Sequence, residues 1–153
     1  MKIKMFIMDV DGTLTDGNIY ISAEGVEIKA FNVKDGYGIK EILPRLGIIP
    51  VIITARESEI VNKRARELNV NEVYQGVANK EEIYEMIKEK YCLSDEEIIY
   101  MGDDLNDLEI IKKVRFSACP KDAVETIRKE CTYVSEKNGG QGAVRDIIEK
   151  YLL

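Results

Sequence analysis

A chain of 153 residues with 45% hydrophobic and 33% charged positions carries enough apolar material for one well-buried domain, too little for two, and too much to remain disordered. Its net charge of −6 excludes a general nucleic-acid surface, which needs clustered Lys and Arg, yet leaves room for a small phosphorylated substrate opposed by a local cation. The absence of histidine removes imidazole catalysis and histidine metal clusters, so any chemistry falls to carboxylates, lysine, hydroxyls and a hard metal ion.

In chain order, the apolar run from Lys2 to Met8 ends in Asp9-Val10-Asp11-Gly12-Thr13-Leu14-Thr15-Asp16-Gly17. It reads as a buried strand that delivers two carboxylates to its end. The segments Asn18–Ser22 and Val26–Asn32 flank Ala23-Glu24-Gly25 as an expected β-hairpin. Asp35 is the expected N-cap of a helix through Ile39, Ile42 and Leu46, disturbed or ended by Pro44 and Gly47. Ile48–Ile53 is almost wholly apolar, as in a parallel strand covered on both faces, and it ends in Thr54-Ala55-Arg56. Ile60, Val61, Ala65 and Leu68 recur at helical spacing, and Val73–Gln75 is a brief strand candidate. Asn79 is the expected cap of a helix from Lys80 to Tyr91 with Ile83, Tyr84 and Ile87 on its apolar face.

Ile98–Met101 predicts the next buried strand, running into Gly102-Asp103-Asp104-Leu105-Asn106-Asp107 and a helix through Leu108, Ile111 and Lys112. A weaker strand is expected over Arg115–Ala118, a helix from Asp122 as cap to Glu130, and an edge strand at Tyr133-Val134. Gly139-Gly140-Gln141-Gly142 then precedes a helix from Ala143 to about Leu152; these glycines form either a tail entering a neighbouring site or a loop before that helix. Cys92, Cys119 and Cys131 are odd in number and hold no Cys-x-x-Cys pair, so free thiols in a reducing cytoplasm are expected. No leader segment or membrane-length apolar run is read, and no membrane partner is expected.

Strands alternating with helices predict a doubly wound α/β domain over residues 1–153 with a parallel sheet. Between Asp11 and Thr54 there is room for a hairpin and one helix, and between Lys80 and Asp103 for one helix and one strand, so no cap domain is expected. The strand ends at Asp9, Thr54 and Asp103 should face one crevice. Carboxylates converging there suit Mg²⁺, and a hydroxyl with an ammonium suits the non-bridging oxygens of a phosphoryl group. An Asp carboxylate can then attack phosphorus, while a second, two residues on, protonates the leaving oxygen and later activates water. Lys80 at a helix N-terminus runs against the helix dipole, which phosphate binding explains better than chance. Arg56 is a candidate for a substrate carboxylate or for a surface ion pair.

Asp9 to Gly17, Ile53 to Arg56, Lys80 after Gln75-Gly76-Val77-Ala78-Asn79, and Gly102 to Asp107 resemble, in order, the four motifs of the haloacid dehalogenase-like phosphatases. Lys29-Ala30-Phe31-Asn32-Val33-Lys34-Asp35-Gly36-Tyr37-Gly38-Ile39 and the glycine segment are similar to the capless branch acting on octulosonate 8-phosphate and nonulosonate 9-phosphates. The resemblance departs at Ala55, where glycine is commoner, and Asn106 looks more like the nonulosonate side. It implies Asp9 as nucleophile, Asp11 as general acid and base, and Mg²⁺ on Asp9, the Asp11 carbonyl and Asp103. It further implies Thr54 and Lys80 as phosphate ligands, with Asp104 and Asp107 in support and Thr13 and Arg56 as candidate substrate contacts. A homotetramer, with hairpins pairing and a neighbour covering each open site, is the expected assembly. The alternatives are a phosphatase of a nucleotide or hexose phosphate, or a Mg²⁺-binding phospho-switch; a switch has no use for an acid at Asp11.

Overall fold

The computed structural model describes residues 2–153; Met1, the first residue of the expected domain, lies outside the described residues. In chain order the strands are β1 (Met5–Met8), β2 (Tyr20–Ile21), β3 (Glu27–Ile28), β4 (Ile49–Ile53), β5 (Glu72–Tyr74), β6 (Ile98–Met101), β7 (Phe116–Cys119) and β8 (Tyr133–Val134). The helices are α1 (Val33–Tyr37), α2 (Leu43–Arg45), α3 (Glu59–Glu67), α4 (Lys80–Lys90), α5 (Leu108–Lys113), α6 (Glu125–Glu130) and α7 (Ala143–Tyr151), with a π turn over Gly38–Ile42 joining the first two.

Six strands form one sheet in the order β5-β4-β1-β6-β7-β8, every pair parallel. The chain winds outward from β1 first through β4 to β5 and then through β6 to β8, so the fold is a doubly wound α/β sheet. Alternate side chains feed two cores, as the two-residue period of a strand requires. Phe6, Met8, Ile52, Ile99, Met101 and Ala118 pack under Ile39, Leu43, Val61, Ala65, Ile147 and Ile148, from the stretch Val33–Arg45, α3 and α7. Met5, Ile7, Val51, Ile53, Ile98, Tyr100 and Cys119 pack on the opposite face under Tyr84, Ile87, Ile110, Ile111 and Ile127, from α4, α5 and α6. Among the described residues no helix is long and apolar enough to cross a membrane.

Several local expectations change. Asn32, not Asp35, caps α1, accepting the amides of Lys34 and Asp35. Asp35 is buried, and its Oδ1 accepts the Arg145 amide at 2.8 Å, so it caps the first turn of α7 from a distance. Burial pushes its carboxyl up to about 6 despite the α7 amides. Pro44 disturbs the helix, as expected, without ending it, and α2 stops just before Gly47 at φ 72°. The proline lies in the first turn of α2, where a missing N–H is tolerated, directly after the π turn. Asp122 does not cap α6, which starts at Glu125; its Oδ1 accepts the Gly139 amide at 2.9 Å instead. The hairpin pairs only Tyr20 with Ile28 and Ile21 with Glu27, because it stands off the main sheet and has no third strand to extend it.

Candidate active site

Parallel register brings the carboxyl ends of β1, β4 and β6 level, with Met8 opposite both Ile52 and Met101. Asp9, Thr54 and Asp103 therefore follow their strands onto one edge of the sheet, beside the point where the winding direction reverses. They open a cleft of about 360 Å³ together with Asp11, Ala55, Arg56, Asp104 and Asn106. That volume admits a small molecule.

The loop after β1 is folded tightly on itself. The amides of Thr13, Leu14 and Thr15 all donate to the Val10 carbonyl at 2.9–3.1 Å. Gly12, at φ 89°, has no room for a side chain: a Cβ there would stand 1.9 Å from Asp103 Oδ2. The glycine segment braces this loop from behind. A Cβ on Gly139 would stand 2.0 Å from the Gly12 carbonyl, and the Gly140 amide donates to Thr13 O at 3.3 Å. Of the two expectations for these glycines, the loop before the last helix is the one this chain adopts; its backbone packs on the chain's own strand-end loop.

At the cleft floor the Lys80 ammonium donates to Asp9 Oδ1 and Asp107 Oδ1, both at 2.8 Å. Asn79 caps α4 and so sets Lys80 at its start, pointing at the end of β1. Asp107 is saturated: Oδ1 also accepts the Tyr100 hydroxyl at 2.6 Å, and Oδ2 accepts the amides of Asp103 and Asp104 at 3.0 and 3.2 Å. It is a clamp on the loop and on Lys80, with no lone pair left over for a metal of its own. Burial favours a neutral amine, but the Asp9 and Asp107 charges outweigh it and hold Lys80 above the ordinary lysine range.

One ammonium cannot neutralise three carboxylates. Burial pushes Asp9 up to about 6 against the pull of Lys80, and burial with the nearby Asp9 charge pushes Asp103 up to about 9. Oxygens of Asp9, Asp103 and Asp107 lie within 4.8 Å of one another, and Asp103 Oδ1 is buried with no partner. With all three ionised, the cluster carries two negative charges beyond what Lys80 balances. An all-oxygen donor set with that excess fits a hard divalent cation, held by Asp9 and Asp103.

Asp11 lines the same cleft, and its Oδ1 accepts the ammonium of Lys29, which also stands 3.3 Å from Glu27 Oε1. Arg56 reaches Glu27 Oε1 at 3.5 Å across the mouth while remaining half exposed. Asp104 caps the turn Leu105–Asp107, accepting the Leu105 amide at 2.7 Å. Thr13, a candidate substrate contact, is fully buried and is not among the residues that line the cleft. Sequence reasoning missed Lys29, Glu27 and Tyr100. A hydroxyl in an otherwise apolar strand signals a buried partner, which would have flagged Tyr100; a lysine in a hairpin signals nothing.

Comparison with known proteins places this geometry. A family model described as haloacid dehalogenase-like hydrolase matches residues 52–148. The chain is 40% identical over 152 residues to the 3-deoxy-D-manno-octulosonate 8-phosphate phosphatase KdsC of Escherichia coli strain K12, covering 99% of this chain and 80% of that one. The crystal structure of the 3-deoxy-D-manno-octulosonate 8-phosphate phosphatase of Moraxella catarrhalis with magnesium ion, phosphate ion and KDO superposes with a TM-score of 0.92 at 40% identity, over 96% of this chain and 84% of that one. The cobalt-bound form of the corresponding phosphatase of Haemophilus influenzae has a TM-score of 0.90 at 33% identity, over 95% and 85% of the two chains.

Proposed function

Because this chain belongs to the haloacid dehalogenase-like hydrolases, we propose that it hydrolyses the phosphate ester of an acidic 2-keto-3-deoxy sugar, with 3-deoxy-D-manno-octulosonate 8-phosphate as the first substrate to test. The enzyme is a phosphoric monoester hydrolase, with residues 1–153 as one catalytic domain acting in the cytoplasm. The observation that carries the reading is Asp9 held by buried Lys80 at the floor of a cleft that Asp11 also lines. The substrate class is supported by the named relatives.

Asp9, with Oδ1 on Lys80, attacks phosphorus through its other oxygen. As the bond to the leaving oxygen breaks, protonated Asp11 gives that oxygen its proton. Asp11, now a carboxylate, takes a proton from water, which attacks the aspartyl-phosphate, releases phosphate and restores Asp9. The Thr54 hydroxyl and the remaining N–H of Lys80 hold non-bridging oxygens, since an ammonium has three donors and two are used. Mg²⁺ would be held by Asp9, Asp103 and the Asp11 carbonyl; it supplies charge neutralisation that lets two anions meet. Arg56 at the mouth is the candidate for the sugar carboxylate.

Phosphate release from octulosonate 8-phosphate, nonulosonate 9-phosphates, hexose phosphates and nucleotides, with Mg²⁺ or with EDTA, tests this. Turnover that needs the metal and is strongest on a 2-keto sugar acid phosphate is expected. Equal rates on every ester would remove the substrate class and keep the mechanism, whereas no release from any would favour the phospho-switch.

The homotetramer belongs to the same proposal. Tyr20, Ile21, Val26 and Ile28 are 47–66% exposed on the hairpin, whose two strands pair with nothing in the main sheet. Apolar side chains on unpaired strands are edges that pair with another copy. Light scattering is expected to give a tetramer, and Ile21→Glu a smaller species with reduced turnover; a fully active wild-type monomer would remove the assembly.

A further inference from the structure

Asp9 and Asp11, two of the four acids that line the cleft, are each paired with a buried lysine. Lys80 holds Asp9 and is shared with Asp107, but Lys29 has no partner in the cluster at the cleft floor. Its side chain is 0% exposed, although the hairpin that delivers it is largely exposed, and its ammonium is given to Asp11 and Glu27. An enclosed ammonium is retained only where its pairing repays the loss of water, and an apolar side chain of equal length would fill the same volume without that cost. Charge alternates along the line Asp11, Lys29, Glu27, Arg56, with contacts of 3.3 Å from Lys29 to Glu27 and 3.5 Å from Glu27 to Arg56. The line joins the acid on the β1 loop to the mouth of the cleft.

We propose that Lys29 is a positioning residue for proton transfer: it holds Asp11 Oδ1 so that Oδ2 is the oxygen presented to the leaving group. This rests on the phosphatase reading above. Being fully enclosed, Lys29 does not touch the substrate and acts through Asp11. A general acid has to lie within hydrogen-bond reach of the oxygen it protonates, and a carboxyl free to rotate about two bonds spends little time there. As the P–O bond breaks, the proton on Oδ2 passes to the leaving oxygen and the resulting carboxylate stays paired with the ammonium. In the second half-reaction the same oxygen takes the proton of the attacking water.

The test uses leaving groups. An alkoxide leaves only with a proton, whereas p-nitrophenolate leaves without one. Lys29→Met is expected to lower the single-turnover rate of ester cleavage on an alkyl phosphate about 10²-fold, the scale of general acid catalysis, while the p-nitrophenolate burst from p-nitrophenyl phosphate keeps its wild-type rate and only the later hydrolysis of the aspartyl-phosphate, which needs Asp11 as base, slows for both esters. Asp11→Asn should show the same selectivity in the ester-cleaving step, and adding Lys29→Met to it should remove nothing further from that step. Lys29→Gln, which keeps an N–H for Asp11, should recover part of the alkyl phosphate rate and serves as the readout if Lys29→Met does not fold. Equal losses in the ester-cleaving step on both esters in a folded variant, no loss in that step on either, or independent losses in the double variant would each overturn the assignment alone. A wild type silent on both esters would overturn the phosphatase reading and this assignment with it.

Discussion

Asp9→Asn is expected to abolish phosphate release, by at least about 10⁴-fold in kcat, while raising the melting temperature of the metal-free protein. The amide is close in shape to the carboxylate and can accept from Lys80, but it cannot attack phosphorus. The gain in stability follows from charge. Burial pushes the Asp9 carboxyl up to about 6, above the unfolded value near 4, so ionising it costs the native state more than the unfolded chain. Native protein then binds more protons than unfolded protein between those two values, and wild-type stability falls as pH rises through that window. The variant lacks this term, so its advantage is absent near pH 4 and complete above pH 6, on the order of 1–3 kcal/mol. Thermal melts at both pH values in EDTA, beside a phosphate-release assay, check the two effects together. Measurable turnover by Asp9→Asn would remove Asp9 as nucleophile, and identical melting shifts at pH 4 and pH 7.5 would remove the electrostatic account.

Lys80→Met should move stability the opposite way. The ammonium is 1% exposed and bonded to Asp9 and Asp107, so its loss leaves two buried carboxylates without their cation. Breaking a buried pair from one side costs about 3–5 kcal/mol. The penalty is largest while Asp9, whose carboxyl burial pushes up to about 6, is ionised and shrinks as it takes up its proton, so wild type and variant should converge as pH falls and separate as it rises. Urea unfolding at pH 7.5 and pH 4.5 reads the difference directly, and an equal penalty at both would show a packing loss instead. Activity should fall about 10²–10³-fold even where the protein is folded, because the charge that offsets the phosphate is gone. Mg²⁺ is expected to restore part of the stability by supplying positive charge to the same oxygens.

The two variants separate roles that the strand-end motif merges. In the proposed mechanism Asp9 is costly to the fold and carries the reaction, whereas Lys80 serves both. Asp107, which the motif places in a supporting role, is spent on two amides, a hydroxyl and Lys80. Its saturation is invisible in Gly102-Asp103-Asp104-Leu105-Asn106-Asp107 read as letters.

Local signals were dependable where their range was short. Apolar runs of a few residues marked β1, β4 and β6 because a strand covered on both faces can hold little else. Asn79 marked the start of α4 because a cap bonds amides two and three residues on. The same reasoning failed at Asp35 and Asp122, which carry the right side chain for a cap. Each gives it to a backbone amide far along the chain, Arg145 and Gly139, because Asn32 and the turn before Glu125 already open those helices.

The sequence by itself therefore determined the order of strands and helices, the doubly wound class, and which acids, hydroxyl and lysine stand at strand and helix ends. These follow from periodicity and capping, which act over a few residues. Only the tertiary structure decided that Lys29 holds Asp11, that Asp107, itself bonded by the Tyr100 hydroxyl, holds Lys80, that Thr13 is buried away from the cleft, and that the glycine segment braces its own strand-end loop. Asp11 and Lys29 are 18 residues apart, Asp9 and Lys80 71, and Asp35 and Arg145 110. Such pairs are selected by which faces pack together and by the cost of leaving a charge unpaired once they have, and neither is set by any one stretch of chain.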